Sequence, residues 1–208
     1  MGGQAIEAII FDLGRVILDF DHAIAAERIA KFSDKGAGEI FELFFDSPLT
    51  ESFEEGRILP GGFFGEIKKM LKLRIDYGEF VPIWNEIFFF SEKNLAAYNL
   101  ARELKEKYRV ALVSNINILH FEYIKRTFPI LDAFHNVVTS YETGFRKPKE
   151  QIYRHALKAL NVTGRQCFYT DDRADLVAAA GGLGIRGYVF NGIGQLKADL
   201  CSEGIGAA

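Results

Sequence analysis

The chain has 208 residues, 49% hydrophobic and 25% charged, with a formal net charge of −3. This is the composition of an ordinary globular protein, long enough for one sizeable core or for a core carrying a smaller inserted unit, and without the bulk positive charge of a nucleic-acid binder. Its two cysteines, Cys167 and Cys201, cannot build a disulfide framework or a zinc motif, which fits a reducing cytoplasm. The opening "MGGQAIEAII" lacks the basic region and long apolar segment of a signal peptide, and Ile6 stands where a myristoylation signal needs Ser or Thr. No run approaches transmembrane length. The expectation is a cytoplasmic monomer or homodimer with no membrane and no nucleic-acid partner.

In chain order, "AIIF" (8–11) comes first, continuous and branched as a strand buried on both faces should be. A mostly helical, aromatic-rich stretch follows from about residue 20 to 90, with "FELFF", "GGFFGEI" and "EIFFFSE" holding much of the Phe. These rings read first as packing for a small helical unit, with the wall of an apolar substrate pocket as the alternative, a choice the sequence leaves open. "SEKNLAAYNLARELKEKY" reads as a helix with Ser91 as its capping candidate, and "KPKEQIYRHALKAL" as one with Pro148 in its first turn. Between the later helices lie four more strand-like runs, "RVALVSN", "NVVTS", "CFYTDD" and "RGYVF". The alternation predicts an α/β fold: a Rossmann-like parallel five-stranded sheet with helices on both faces, interrupted after its first strand by a helical insertion.

The polar residues fall where these strands end. Asp12 follows "AIIF", Ser114 and Asn115 follow "VALV", Lys147 follows the fourth apolar segment and its "TGFR" loop, and Asp171 and Asp172 follow "CFYT". In an open parallel sheet the carboxyl ends share one edge, and ligands bind in the crevice there. Singly, Ser114, Asn115, Asp171 and Asp172 could cap helices, and Lys147 could be a solvated loop charge. Asp12 has the weakest such alternative, because no helix starts after it and a buried ionised acid is costly unless paired or metal-bound. Together the set suits a phosphate with a divalent metal: hard oxygen ligands for the ion, a cation and donors for the phosphate oxygens. "GGLGIRG" satisfies G-x-G-x-x-G through Gly182, Gly184 and Gly187, but it follows a helix and precedes a strand, the reverse of a dinucleotide site. His22, His120, His135 and His155 lack metal-ligand spacing and read as surface or satisfied side chains, His120 alone being near enough to Asn115 to visit the crevice.

"FDLGRVILD", "LVSN", "GFRKP" and "YTDDRADLVAA", in this order across the whole chain, resemble the four motifs of the haloacid dehalogenase superfamily of hydrolases, most of which are magnesium-dependent phosphatases. The resemblance implies a core domain from residues 1–18 and 93–208 and, from the stretch containing "FEEGRILPGGFF", a helical cap domain at 19–92. It implies Asp12 as nucleophile, forming an aspartyl phosphate. It implies Mg2+ held by Asp12, the Gly14 carbonyl and Asp172, with Asp171 behind them, and a phosphoryl group held by Ser114, Asn115 and Lys147, the last also balancing Asp12. The substrate implied is a small phosphorylated metabolite. Two departures stand out. Gly14 occupies the place of the acid that protonates the leaving alcohol, help typically worth about 10²–10⁴-fold, and Leu176 stands where the motif often has Asn, with Asp175 beside it. Gly14 also leaves two rivals: a non-catalytic or regulatory protein of this fold, and a 2-haloacid dehalogenase, whose halide needs no general acid but whose chemistry gives no reason for the acid pair.

Overall fold

The computed structural model describes residues 4–44 and 47–206; the last Phe of "FELFF" and the first three residues of the chain's opening lie outside them. Strand β1 (Ala8–Phe11) is followed by a short strand β2 (Asp19–Phe20) and five helices, α1 (His22–Ala30), α2 (Ala37–Phe44), α3 (Pro48–Glu54), α4 (Pro60–Leu71) and α5 (Tyr77–Asn85). Strand β3 (Phe88–Phe89) closes this insertion. Then come α6 (Glu92–Lys105), β4 (Arg109–Ser114), α7 (Ile118–Thr127), β5 (Asn136–Thr139), the short α8 (Ser140–Thr143) and α9 (Glu150–Leu160). The chain ends with β6 (Cys167–Asp171), α10 (Ala174–Gly181), β7 (Arg186–Val189) and α11 (Ile193–Ser202).

The five long strands form one parallel sheet in the order β5-β4-β1-β6-β7. Because neighbouring strand residues face opposite ways, β1 gives Ile9 and Phe11 to one core, with Val110, Leu112 and Phe168, and Ala8 and Ile10 to the other, with Ala111, Val113 and Tyr169. Helices α6, α7 and α11 cover the first face, and α9 and α10 the second. Strand β1 lies in the middle, where the chain order reverses direction, so the crevice beyond Phe11 is the natural ligand site of such a sheet.

The insertion has its own apolar cluster, including Phe53, Phe63, Phe80 and Trp84. Its two ends are brought together by the antiparallel pair β2–β3, a two-stranded sheet of its own, with Asp19 opposite Phe89 and Phe20 opposite Phe88. Asn94, in the first turn of α6, donates to the Val16 carbonyl at 3.1 Å and holds the loop leaving β1. Pro148 lies ahead of α9 rather than in its first turn: the helix begins at Glu150, with Lys149 as its N-cap. The chain turns at Lys147 and Pro148, where the Asn115 side chain takes both backbone groups of Lys147, its amide donating to the Lys147 carbonyl (2.9 Å) and its oxygen accepting the Lys147 N–H (2.7 Å). Gly182 and Gly184 end α10 and turn the chain, Gly184 at φ +78°, while Gly187 lies within β7. Among the described residues, no helix is long and apolar enough to cross a membrane.

Candidate active site

Asp12 is the first residue past β1, its N–H held by the Thr170 carbonyl at 3.0 Å, and its neighbours come from the ends of β4 and β6 and from the loop before α9. Lys147, 3% exposed, places its ammonium between two carboxylates, 2.5 Å from Asp12 Oδ1 and 2.7 Å from Asp171 Oδ2. Asp171, the last residue of β6, is fully buried, and both its oxygens are engaged. Oδ2 also accepts from the Tyr169 hydroxyl, and Oδ1 accepts the Arg173 N–H at 2.9 Å. Tyr169 is two residues before Asp171 on the same strand face, so the period-two rule would have found it.

Asp172, one residue on, points elsewhere. Its side chain is 26% exposed and lies 4.0 Å from Arg15 Nε. Oxygens of Asp12, Asp171 and Asp172 come within 4.8 Å of one another. Since Lys147, Tyr169 and Arg173 saturate Asp171, the carboxylates with oxygens to spare for a hard cation are Asp12 and Asp172. Asp12 Oδ2 has no protein donor among the described residues and lies 3.8 Å from where a Cβ on Gly14 would stand. Burial pushes the Asp12 carboxyl up to about 7, against the pull of Lys147 and with the help of Asp171. Lys147 itself is held above the usual ammonium range: burial lowers it, and the two carboxylates more than reverse this.

Ser114 ends β4 and lines the cleft, its hydroxyl without a protein partner among the described residues. Asn115 also lines it, but its side chain serves the Lys147 backbone. All the residues singled out at the strand ends, with Gly14, therefore meet at one cavity of about 360 Å³. Asp175 does not join them; it pairs with Arg173 on the surface, while the buried Leu176 lines the cavity.

Several lining residues escaped the sequence reading. A Cβ on Gly14 would meet Phe20 Cε1 at 2.8 Å, so an aromatic ring occupies the room an acid at this position would take. Arg146, in "GFRKP", reaches Glu51 (2.7 Å) and Glu54 (2.8 Å) of α3. His22 lines the cleft as well, and burial pushes its pKa down to about 4. His120 is both lining and satisfied: Asn117 Nδ2 lies 3.1 Å from its Nδ1, and its Nε2 lies 3.1 Å from the Trp84 carbonyl. His135 accepts the Val110 N–H, and His155 packs against Phe145. The insertion's aromatics thus divide between packing one another and facing the cleft.

A family model described as haloacid dehalogenase-like hydrolase matches residues 6–184. Among curated proteins, D-ribitol-5-phosphate phosphatase of Bacteroides thetaiotaomicron is 24% identical over 173 residues, covering 80% of this chain and 83% of that protein. The sesquiterpene phosphatase astK of Aspergillus oryzae is 25% identical over 182 residues, covering 87% and 88%. Among solved structures, a haloacid dehalogenase family enzyme of Bacteroides thetaiotaomicron, in complex with magnesium and inorganic phosphate, superposes with a TM-score of 0.78 at 26% identity, covering 90% of this chain and 96% of that one.

Proposed function

The chain belongs to the haloacid dehalogenase-like hydrolases, and from that premise we propose that it is a magnesium-dependent phosphatase of small phosphate monoesters, with Asp12 as the nucleophile and residues 19–92 as a cap over the site. The observation that carries this reading is the Lys147 ammonium between Asp12 and Asp171 at 2.5 and 2.7 Å. It leaves Asp12 with one oxygen fixed and the other open to the cleft.

Asp12 Oδ2 attacks phosphorus, the P–O bond to the alcohol breaks, and the departing alkoxide takes its proton from water, a proton made good when the second water attacks and gives one up. Water then attacks the same phosphorus, the aspartyl P–O bond breaks, and inorganic phosphate departs with the Asp12 carboxylate restored. Splitting the displacement in this way exchanges one difficult step for two easier ones. Lys147 opposes the effect of burial on Asp12 and orients it, and with the Ser114 hydroxyl and the Asn115 backbone amide it meets the transferring oxygens. Asp12, Asp172 and the Gly14 carbonyl would hold Mg2+, whose chemistry there is to neutralise charge between an anionic nucleophile and an anionic ester. Asp171 holds Lys147 in place. With glycine at position 14 and Phe20 beside it, that position supplies no acid for the leaving oxygen, so turnover favours esters whose alcohols leave readily.

The retained acid pair also bears on the dehalogenase reading, since displacement of halide from carbon gives Asp172 nothing to bind. The test is phosphate release from an ester panel with and without Mg2+, comparing wild type with Asp12→Asn. Release is expected to need the metal and to fall by about 10³-fold or more in the variant. No release by the wild type, or rates unchanged by the substitution, would overturn the reading.

A further inference from the structure

The phosphate end of the cleft leaves open what alcohol is released, and two independent features of the far end bear on it. The first is a continuous aromatic wall. Ring centroids run from Phe20 to Phe88 at 6.2 Å, Phe88 to His120 at 5.1 Å, His120 to Trp84 at 5.0 Å and Trp84 to Phe44 at 5.0 Å, and all five rings line the cavity. His120 contributes to this wall as an uncharged ring. Burial pushes its pKa down to about 3, and both its nitrogens are engaged, by Asn117 and by the Trp84 carbonyl. Such a surface offers dispersion and the faces of π-systems.

The second feature is charge. Besides Lys147, the cations at the cavity among the described residues are Arg15, Arg146 and Arg173, and each already faces a carboxylate. Arg15 has Asp172, Arg146 lies against Glu51 and Glu54, and Arg173 has Asp175. Among the described residues, five carboxylates line the same cavity, Asp12, Asp171, Asp172, Glu51 and Glu54. Four positive groups and one divalent ion against five negative ones leave a single positive charge, which one phosphate dianion more than consumes. A second phosphate or a carboxylate on the substrate would meet Glu51 and Glu54 with no cation to spare, a desolvated like-charge contact that discriminates against it. The volume, about 360 Å³, is toward the small end of ligand pockets, roughly 300–1,000 Å³.

We infer that the physiological substrate is the phosphate monoester of a compact, uncharged alcohol with an apolar body, laid against the ring wall from Phe20 to Phe44, and that the cleft rejects esters carrying a second anionic group. This rests on the phosphatase reading. Hydrolysis consumes one water and yields the free alcohol and inorganic phosphate.

The test measures kcat/KM with Mg2+ for four phosphoryl compounds: acetyl phosphate, benzyl phosphate, 4-carboxybenzyl phosphate and ribitol 5-phosphate. Acetyl phosphate needs nothing of the wall and reports the phosphoryl chemistry alone. Benzyl phosphate is expected to exceed both its carboxylated analogue and the polyol ester by about tenfold or more, equivalent to about 1.4 kcal/mol. Phe44→Asn is expected to shrink both ratios, a readout that does not depend on what fraction of the variant is folded. If acetyl phosphate is hydrolysed while either ratio in the wild type is below tenfold, the substrate class is wrong and the phosphatase reading stands. If no compound releases phosphate, both fall.

Discussion

Replacing Lys147 by Met keeps all but the last atom of the side chain's length and removes the charge between Asp12 and Asp171. Lys147 and Asp171 side chains are 2% and 0% exposed and Asp12 10%, so two buried carboxylates lose their common partner where water does not replace it. Removing one member of a buried ion pair typically costs about 3–5 kcal/mol. At about 2–4 °C per kcal/mol for a chain of this size, the midpoint should fall by roughly 6–20 °C, within the stability of a typical domain, about 5–15 kcal/mol. The loss also has a pH signature. Asp12 titrates at about 7 when folded and 3.8 as its ordinary value, so the folded state keeps a proton that the unfolded state has already lost. The stability this proton contributes is complete below 3.8 and fades as pH rises through 7. Without Lys147 the folded carboxyls hold protons to still higher pH, so the variant is penalised more at pH 8 than at pH 5. Urea unfolding of both proteins in EDTA at the two pH values measures this; a loss under about 1 kcal/mol at pH 8, or one equal at pH 5 and 8, would refute the buried-pair reasoning.

Glu55, 3% exposed, accepts the Arg146 N–H at 3.2 Å and the Lys149 ammonium at 2.5 Å, and it pairs with Arg57. It therefore grips the chain on both sides of Lys147, at Arg146 and Lys149, and Glu55→Ala is expected to cost about 1–3 kcal/mol and to lower kcat more than it raises KM; steady-state kinetics showing only a KM effect would remove it from a positioning role. His120 takes its proton near 3 when folded and near 6.5 ordinarily, so the unfolded state binds more protons between those values. Its contribution is then intact above 6.5 and falls by about 2 kcal/mol on going to pH 5. A urea-midpoint difference between wild type and His120→Gln that is the same at pH 7 and pH 5 would contradict this. Gly14→Asp alone should be destabilised by about 1–3 kcal/mol of overpacking against Phe20, with no gain in rate. Gly14→Asp combined with Phe20→Ala should raise kcat on alkyl phosphates by about 10²-fold or more, and a rate gain in the single variant would show that the ring does not bar the acid.

The sheet was legible because its central strands are short, continuous and buried on both faces, a pattern that leaves little choice of element or order. Four polar motifs at four strand ends were legible for the same reason: a parallel sheet carries its carboxyl ends to one edge, so residues as distant as Asp12 and Lys147 could be placed together without knowing a single contact. What the local pattern does not encode is which side chain fills a space that a missing one leaves. Gly14 is visible in "DLG", but its neighbour Phe20 depends on β2 pairing with β3, two strands of two residues each, 70 positions apart between Asp19 and the Phe89 opposite it. Elements that short have no periodicity to read. The same holds for Arg146: its position in "GFRKP" is plain, and its use is set by Glu51 and Glu54, carried there by a helix of the insertion.

The insertion therefore does two things that its aromatic content alone leaves undivided. Phe53, Phe63 and Phe80 are spent on its own packing, whereas Phe20 and Phe88 sit on the connecting strands, at the seam where insertion and sheet meet. A ring at that seam cannot be traded for an acid at position 14 without giving up the wall, because the two compete for one volume. The glycine and the phenylalanine are thus a single choice. Giving up general-acid help at the leaving oxygen goes with an apolar surface that grips the leaving group, and binding energy from that non-reacting part can be used to lower the barrier at phosphorus. On this account Phe20→Ala alone should lower kcat on apolar esters and not merely raise KM, and a pure KM effect would separate the two residues again.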